Sequence, residues 1–488
     1  YRDQQKLDRL WRIGDGKRMD FGVTITGWVS PWQIFQQNEQ GTASIRVFGN
    51  CRRVHLSQEL PLQFTSVESG DITVKARVAL ESSGENIVPW TRCQVFDNAR
   101  WEIVFDAVPA GGPYRIETYM EYEGWDGLST TRGDMVHHVG VGDVFVIAGQ
   151  SNAAGRAKDP IEDAPEIGVS LLRDSGKWDL ATHPLGETTD SVHLGHFENH
   201  NPGHTPWLHF AKILKRTLGY PIGLVMCAYG GSPLRWWNPA ENGALTKNML
   251  EMLSDYALHP KAMLWYQGEA EGFENSAETY LARFSAFLDS VRASLNQPEL
   301  PVITFQLNRQ FCECDLALDR QWGIVRQAQR DVMYQLKNVY TLATQDVAMF
   351  DFIHNGAGGN LTLGERAAKC ALANLYAKQR DWKAPEVTKA VRITPDTLEL
   401  HFDEIKNWIN PFDVPGSQLP FDAEDAKGFA KLVSYETKTD TLVLRFDRAL
   451  ESGAVLHGSW RSNPGQIVPW DCMRFPMLAF YGLPITNE

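Results

Sequence analysis

Two stretches about 200 residues apart carry the side chains of a nucleophile and its base: Gly149-Gln-Ser-Asn152 and Asp351-Phe-Ile-His354. A serine hydroxyl is a weak nucleophile at neutral pH, so a base must take its proton during attack, and histidine is the side chain that titrates in that range. Ser151 is the candidate nucleophile and His354 the candidate base. Asp351, three residues before His354, can fold back to hold the imidazole in one tautomer and to stabilise the imidazolium. Negative charge then develops on the carbonyl oxygen. The candidate donors for it are the N–H groups of Ser151 and Gly231, the latter in Tyr229-Gly-Gly-Ser232, and the side-chain amide of Gln267 in Trp265-Tyr-Gln-Gly-Glu269.

These groups must be brought together by the elements that precede them. Val144 to Ala148 is continuously apolar, the pattern of a strand buried on both faces, and Gly149 lets the chain turn at its end. Strand candidates at Ile222–Ala228, Ala262–Tyr266, Val302–Leu307 and Tyr340–Thr344 alternate with helical stretches, which predicts a parallel sheet flanked by helices. In such a sheet the loops at the carboxyl ends of the strands gather at one edge, where ligands bind. Trp322, Val325, Ala328, Gln329, Val332, Met333 and Leu336 fall mostly on one helical stripe, and Thr362-x-x-Glu365 reads as a capping box opening the last helix.

Before residue 143 and after Lys383-Ala-Pro385 the period changes to two. Ile72, Val74, Ala76, Val78 and Leu80 alternate with residues of the opposite face, and Glu68-Ser-Gly-Asp71 and Ala110-Gly-Gly-Pro113 give turn signals. Leu398, Leu400, Phe402 and Leu442, Leu444, Phe446 repeat the pattern near the end. No internal repeat is seen. The expectation is an N-terminal β-sandwich over 1–142, an α/β domain over 143–382 and a smaller β domain over 383–488.

Composition excludes several classes of function. Lys plus Arg number 47 against 60 Asp plus Glu, a net charge of −13, which argues against binding a polyanion by bulk electrostatics; nucleic acid is not an expected partner. No apolar run approaches the length of a membrane span, so no membrane partner is expected. The seven cysteines, at 51, 93, 227, 312, 314, 370 and 472, show neither a disulfide framework nor zinc spacing. The compartment stays open: secreted or periplasmic if an N-terminal signal has been removed, otherwise cytoplasmic.

The two blocks, with Tyr229-Gly-Gly and Trp265-Tyr-Gln-Gly-Glu269, resemble the SGNH-type hydrolases, and within them the carbohydrate acetylesterase branch that includes sialate O-acetylesterases and acetylxylan esterases. The resemblance implies a three-layer, flavodoxin-like catalytic domain, with Ser151 as nucleophile, His354 as base, Asp351 as orienting acid and no cofactor. Many SGNH members carry Asn where this chain has Gln267. It further implies an acetylated carbohydrate as substrate, with removal of O-acetyl groups through an acetyl-enzyme. Trp101 through Tyr114 and Phe475-Pro-Met-Leu478 resemble the β modules of sialate O-acetylesterases. Gln150, Arg235, Trp236 and Glu269 are the candidate substrate contacts: Trp236, with Trp237 beside it, has a flat face for a sugar ring, and Arg235 suits a sugar carboxylate. Acetylxylan or another plant glycan is the alternative substrate. Two alternatives of other classes are a carbohydrate-binding protein without turnover and a metal-dependent hydrolase built on His193, His196, His200 and His204, a loop that also holds Glu198.

Overall fold

The computed structural model describes residues 22–487 apart from 57–63, 68–71, 125–126, 193–196, 199–201, 313–314, 411–413 and 466. The predicted turn at Glu68–Asp71, the first 20 residues, and His193, His196, His200 and Cys314 lie outside the described residues. Contacts divide the chain into two compact units: residues 1–143 with 178–180 and 219–223, and the remainder through 488.

In the first unit the period-two pattern becomes antiparallel sheet. Thr73–Leu80 pairs with Asn86–Arg92 and Gly111–Gly124, and Thr42–Leu56 pairs with Gly22–Gly27 and Arg100–Pro109. Val74, Ala76 and Val78 from one set of strands and Ile45, Val47, Trp101 and Phe105 from the other form a single buried cluster. The alternation read from the sequence is the alternation of buried and half-buried residues along Thr73–Leu80.

The second unit holds a sheet of mixed origin with helices, and a second sheet-rich region. The order across its first sheet runs Val169–Leu172, Ile222–Met226, the end of Gly127–Gly149, Ala262–Tyr266, Val302–Phe305, Val339–Leu342. The pairings of Phe145–Gly149 with Ala262–Tyr266, and of the next two strands with their neighbours, are parallel. The chain goes first to one side of Val144–Gly149 and then, from Ala262, to the other, so Ser151 follows the strand at which the order reverses, the place where open sheets bind ligands. Val169–Leu172 has no counterpart among the predicted strands: it is only four residues long, and its Ser170 interrupts the apolar run.

Helices Trp207–Leu218, Ala244–Asp255, Tyr280–Ser294, Leu316–Gln335 and Ala357–Asn374 fill the connections. The last of these corrects the capping-box reading. It begins at Ala357, and Thr362 lies inside it with Oγ1 donating to Gly358 O at 3.4 Å. The true cap comes from 198 residues away: Ala357 N donates to both carboxylate oxygens of Asp159 at 2.9 Å. After residue 385 the chain forms an eight-stranded sheet with its own cluster around Leu398, Leu400, Leu442, Leu444 and Leu456.

Candidate active site

The Ser151 loop is shaped by what precedes it. Val144 to Ala148 are fully buried, and Gly149 adopts φ +123°, where a Cβ would run into the Tyr266 carbonyl of the neighbouring strand. Only glycine permits that approach. Gln150 N then donates to Tyr266 O at 2.9 Å, and the chain enters a single helical turn, Ser151–Ala154. Ser151 is 9% exposed, and among the described residues its hydroxyl makes no hydrogen bond.

The His354 loop supplies an oriented imidazole. Asp351 Oδ2 lies 2.7 Å from His354 Nδ1, while Asp351 Oδ1 accepts from the backbone N–H of Ile353 at 2.9 Å and of His354 at 2.7 Å. A proton held on Nδ1 leaves the Nε2 lone pair as the basic position. Burial pushes the His354 pKa down; the Asp351 carboxylate opposes this, and the Arg156 charge adds to it, leaving the imidazole below its ordinary 6.5. Burial alone would raise Asp351, but the hydrogen bonds from His354 and from the two N–H groups outweigh it, and its pKa is lowered.

The two loops are tied by the residues next to the reacting groups. Asn152 Oδ1 accepts from Asn355 N at 3.0 Å, and Asn152 Nδ2 donates to Ile353 O at 3.3 Å and to Glu269 Oε1 at 2.7 Å. One side chain adjacent to Ser151 therefore holds both neighbours of His354. Asn355 is held in turn by Asn308 Nδ2 at 2.7 Å.

The glycine block is pinned to the same place, since Tyr229 N donates to Gly149 O at 2.9 Å and Ser232 Oγ lies 3.3 Å from that carbonyl. Gly231 has φ +65°, and neither its N–H nor that of Ser151 has a protein acceptor among the described residues. Gln267 is fully buried, with Nε2 donating to Ser232 O at 3.1 Å and to Glu271. Both amide hydrogens are thus engaged, so to serve an oxyanion Gln267 must give one of them up. Burial pushes the Glu271 carboxyl up to about 7, although Leu234 N at 2.6 Å and Gln267 bond to it.

Two of the expected substrate contacts also hold the neighbouring loops. Gln150 is 3% exposed, and its Oε1 caps the next block by accepting from Gly268 N and Ala270 N at 3.3 Å. Glu269 is 2% exposed and serves as the acceptor for Asn152. Both brace the site from largely buried positions, and Glu269 Oε2 has no hydrogen-bond partner among the described residues. Trp237 is also fully buried, with Nε1 on Ser232 Oγ at 3.0 Å. Trp236 and Arg235 are more open: Arg235 pairs with Glu274 and lies 5.9 Å from the Trp236 ring centre.

His204, the described member of the histidine set, meets Asp163 and His183, which the sequence reading did not group with it. Asp163 Oδ2 is 2.9 Å from His183 Nε2 and 3.1 Å from His204 Nε2, and these three side chains are close enough to share a cation. Lys212 Nζ already occupies the other oxygen, at 2.5 Å, and it brings a positive charge of its own. Burial raises Asp163, but the donors around it dominate and hold it well below the carboxylate range. A lysine at this distance satisfies Asp163 electrostatically and opposes a second cation.

With this geometry the chain stands among the carboxylic ester hydrolases. Residues 141–373 match the family model described as carbohydrate esterase, sialic acid-specific acetylesterase. The chain is 27% identical over 254 residues to a probable carbohydrate esterase of Arabidopsis thaliana, covering 47% of this chain and 90% of that protein. It is 24% identical over 258 residues to the sialate O-acetylesterase of Homo sapiens, covering 45% of this chain and 47% of the relative, so it spans about half the length of that protein. A solved carbohydrate acetylesterase from Xanthomonas citri shares the fold with a TM-score of 0.62 at 20% identity, over 94% of this chain and 99% of that one.

Asn152, Asn355, Asp159 and Arg156 are neighbours of the candidate site that sequence reasoning passed over, and Glu198 was noted only beside the histidines. Asn152 lies within the first block and Arg156 four residues beyond it, both legible as polar residues near Ser151; the partners of the others come from segments that only the fold brings near.

Proposed function

We propose that this protein is a serine esterase that removes O-acetyl groups from carbohydrate, sialate O-acetylesterase-like, through an acetyl-enzyme. The observation that carries the reading is the Asn152 side chain, which fixes Asn355 N and Ile353 O beside His354 from a position next to Ser151. Ser151 Oγ attacks the acetyl carbonyl as His354 Nε2 takes its proton, and Asp351 stabilises the imidazolium. The N–H groups of Ser151 and Gly231 receive the oxyanion, with Gln267 as a third donor once its amide turns from Ser232 O or Glu271. His354 then protonates the leaving sugar oxygen; water, deprotonated by His354, attacks the acetyl-enzyme, and acetate leaves as the proton returns to Ser151 Oγ. The unbonded Ser151 hydroxyl fits this sequence, because catalytic hydrogen bonds are often long without substrate and tighten when it binds.

The reading includes a three-layer, flavodoxin-like catalytic domain over 143–382 between β-sandwich-like regions, and an acetylated sugar met by Trp236 and, where the sugar carries a carboxylate, by Arg235. Acetate release from acetylated sialic acid, acetylated xylan oligomers and 4-nitrophenyl acetate tests it. Release by the wild type, abolished in Ser151→Ala with the fold unchanged, is the expected result. No release from any acetyl ester ends it.

A further inference from the structure

Behind the glycine turn lies a buried ion pair that the reaction steps above do not use. The Glu198 side chain is 5% exposed and that of Arg156 11%, and the two are paired through Oε1 and Nη2. The second oxygen, Glu198 Oε2, accepts from Gly230 N at 2.9 Å. Glu198 is itself fixed, because Thr188 Oγ1 bonds to both its N–H, at 3.0 Å, and its carbonyl, at 2.9 Å. Arg156 Nη1 donates to Gly155 O at 2.8 Å, in the loop that leaves Ser151. The fit over the turn is close: a Cβ on Gly230 would collide with Glu198 Oε1 and Arg156 Nη2, so the pair lies directly on that glycine.

We propose that Glu198 and Arg156 form a positioning couple for the oxyanion turn, in which Glu198 holds Gly230 so that the next N–H, that of Gly231, faces the developing charge, and Arg156 locks Glu198 to the Ser151 loop. This rests on the serine esterase reading of the site. Two features separate the couple from a surface ion pair. Both charges are largely removed from water, where the loss of one partner leaves the other uncompensated. The carboxylate also spends its second oxygen on the backbone of the turn and not on solvent. The charged groups acting on His354 are Asp351 from its own loop and Arg156 from the Ser151 loop, so the couple touches both halves of the machinery.

Three readouts on the full chain test the couple. Glu198→Ala should lower kcat for 4-nitrophenyl acetate about 10- to 100-fold, less than the loss of a whole donor, with KM changed by no more than about threefold. Amide exchange in the peptide spanning 229–233 should speed up in Glu198→Ala, because Gly230 N loses its acceptor. Arg156→Gln should move the acid limb of kcat/KM to higher pH, since a cation that disfavours imidazolium is gone, and Arg156→Lys should return it towards the wild-type position. If Glu198→Ala does not fold, Glu198→Gln keeps the shape and one acceptor without the charge, and should show the same two changes in weaker form. Wild-type kcat together with wild-type exchange at 229–233 would overturn the couple. Failure of the esterase reading looks different, as a wild type that releases no acetate or a Ser151→Ala variant that keeps releasing it. The exchange measurement judges the couple in either case.

Discussion

The two β-rich regions of this chain are built from the same alternating pattern and are held in different ways. In the first, Val47, Val74, Val78, Trp101, Phe105 and Ile116 close an apolar cluster inside a unit that the contacts separate near residue 143. The second has an apolar cluster too, but it belongs to the same compact unit as the catalytic elements, joined to them by buried polar groups. Arg326, fully buried on the helix Leu316–Gln335, donates to the carbonyls of Leu307 and Asn308 at 2.9 Å and also to those of Ser459, Trp460 and Arg461. Gln306 and Ala479 exchange hydrogen bonds at 3.0 and 2.9 Å, and Gln310 N donates to Ser462 O at 2.9 Å. The next residue, Phe311, donates through its N–H to Phe352 O at 3.0 Å, inside the Asp351–His354 block. Apolar burial makes a region stable by itself; a buried polar ladder makes one region part of another's working geometry.

That difference is open to direct attack. The largest effect is expected from Arg326→Met, which removes a buried donor from five carbonyls, of which only Asn308 O, through Trp322 Nε1, and Ser459 O, through Gln345 Nε2, keep another side-chain donor among the described residues. It should cost about 3–5 kcal/mol in denaturant unfolding, and kcat should fall even at temperatures where the variant is folded. Trp101→Ala should cost a similar ~3–5 kcal/mol through the cavity it leaves, yet leave kcat per folded molecule unchanged. An equal loss of kcat in both variants would erase the distinction. A smaller effect follows from Asp159→Ala, which removes the cap from the helix that begins just after His354. A loss of about 1–2 kcal/mol with a measurable drop in kcat is expected, and a stability loss without any change in kcat would show that the cap does not position His354. The smallest is Ser462→Ala, which removes the 2.7 Å bond to Asp319 and should cost about 1 kcal/mol by thermal unfolding, with kcat nearly unchanged.

The acid side of the rate profile sharpens the same contrast through the base, His354. The base must be unprotonated, and its pKa lies below the ordinary 6.5, so kcat/KM should hold its plateau down to that pH and fall only below it. A profile already falling above pH 7 would mean that a different group carries the proton.

Sequence reading went furthest where a local pattern decides the outcome. The uninterrupted run Val144–Ala148 reads as a strand covered on both faces, and the turn it feeds puts Ser151 at the reversal of strand order. Period two marked both β regions for the same reason. It fell short where a residue is defined by a distant partner. Gln150 and Glu269 look like substrate contacts because they are polar and flank the blocks; that Gln150 Oε1 accepts from Gly268 and Ala270, and Glu269 Oε1 from Asn152, is visible only in the fold. Thr362 mimics a helix start, while the helix is capped by Asp159. Nothing in 488 letters pairs Glu198 with Gly230 or Arg326 with Trp460. Those pairings are properties of the packed chain, and they are the ones that hold the candidate site in shape.

The central claim is that Ser151 carries the acetyl group between the two half-reactions. Mass analysis of the protein quenched in acid during turnover of 4-nitrophenyl acetate tests it most directly. One acetyl group on the peptide containing Ser151, absent from Ser151→Ala, is the predicted result; sustained turnover with that peptide unmodified, or with Ser151→Ala as fast as the wild type, would contradict it.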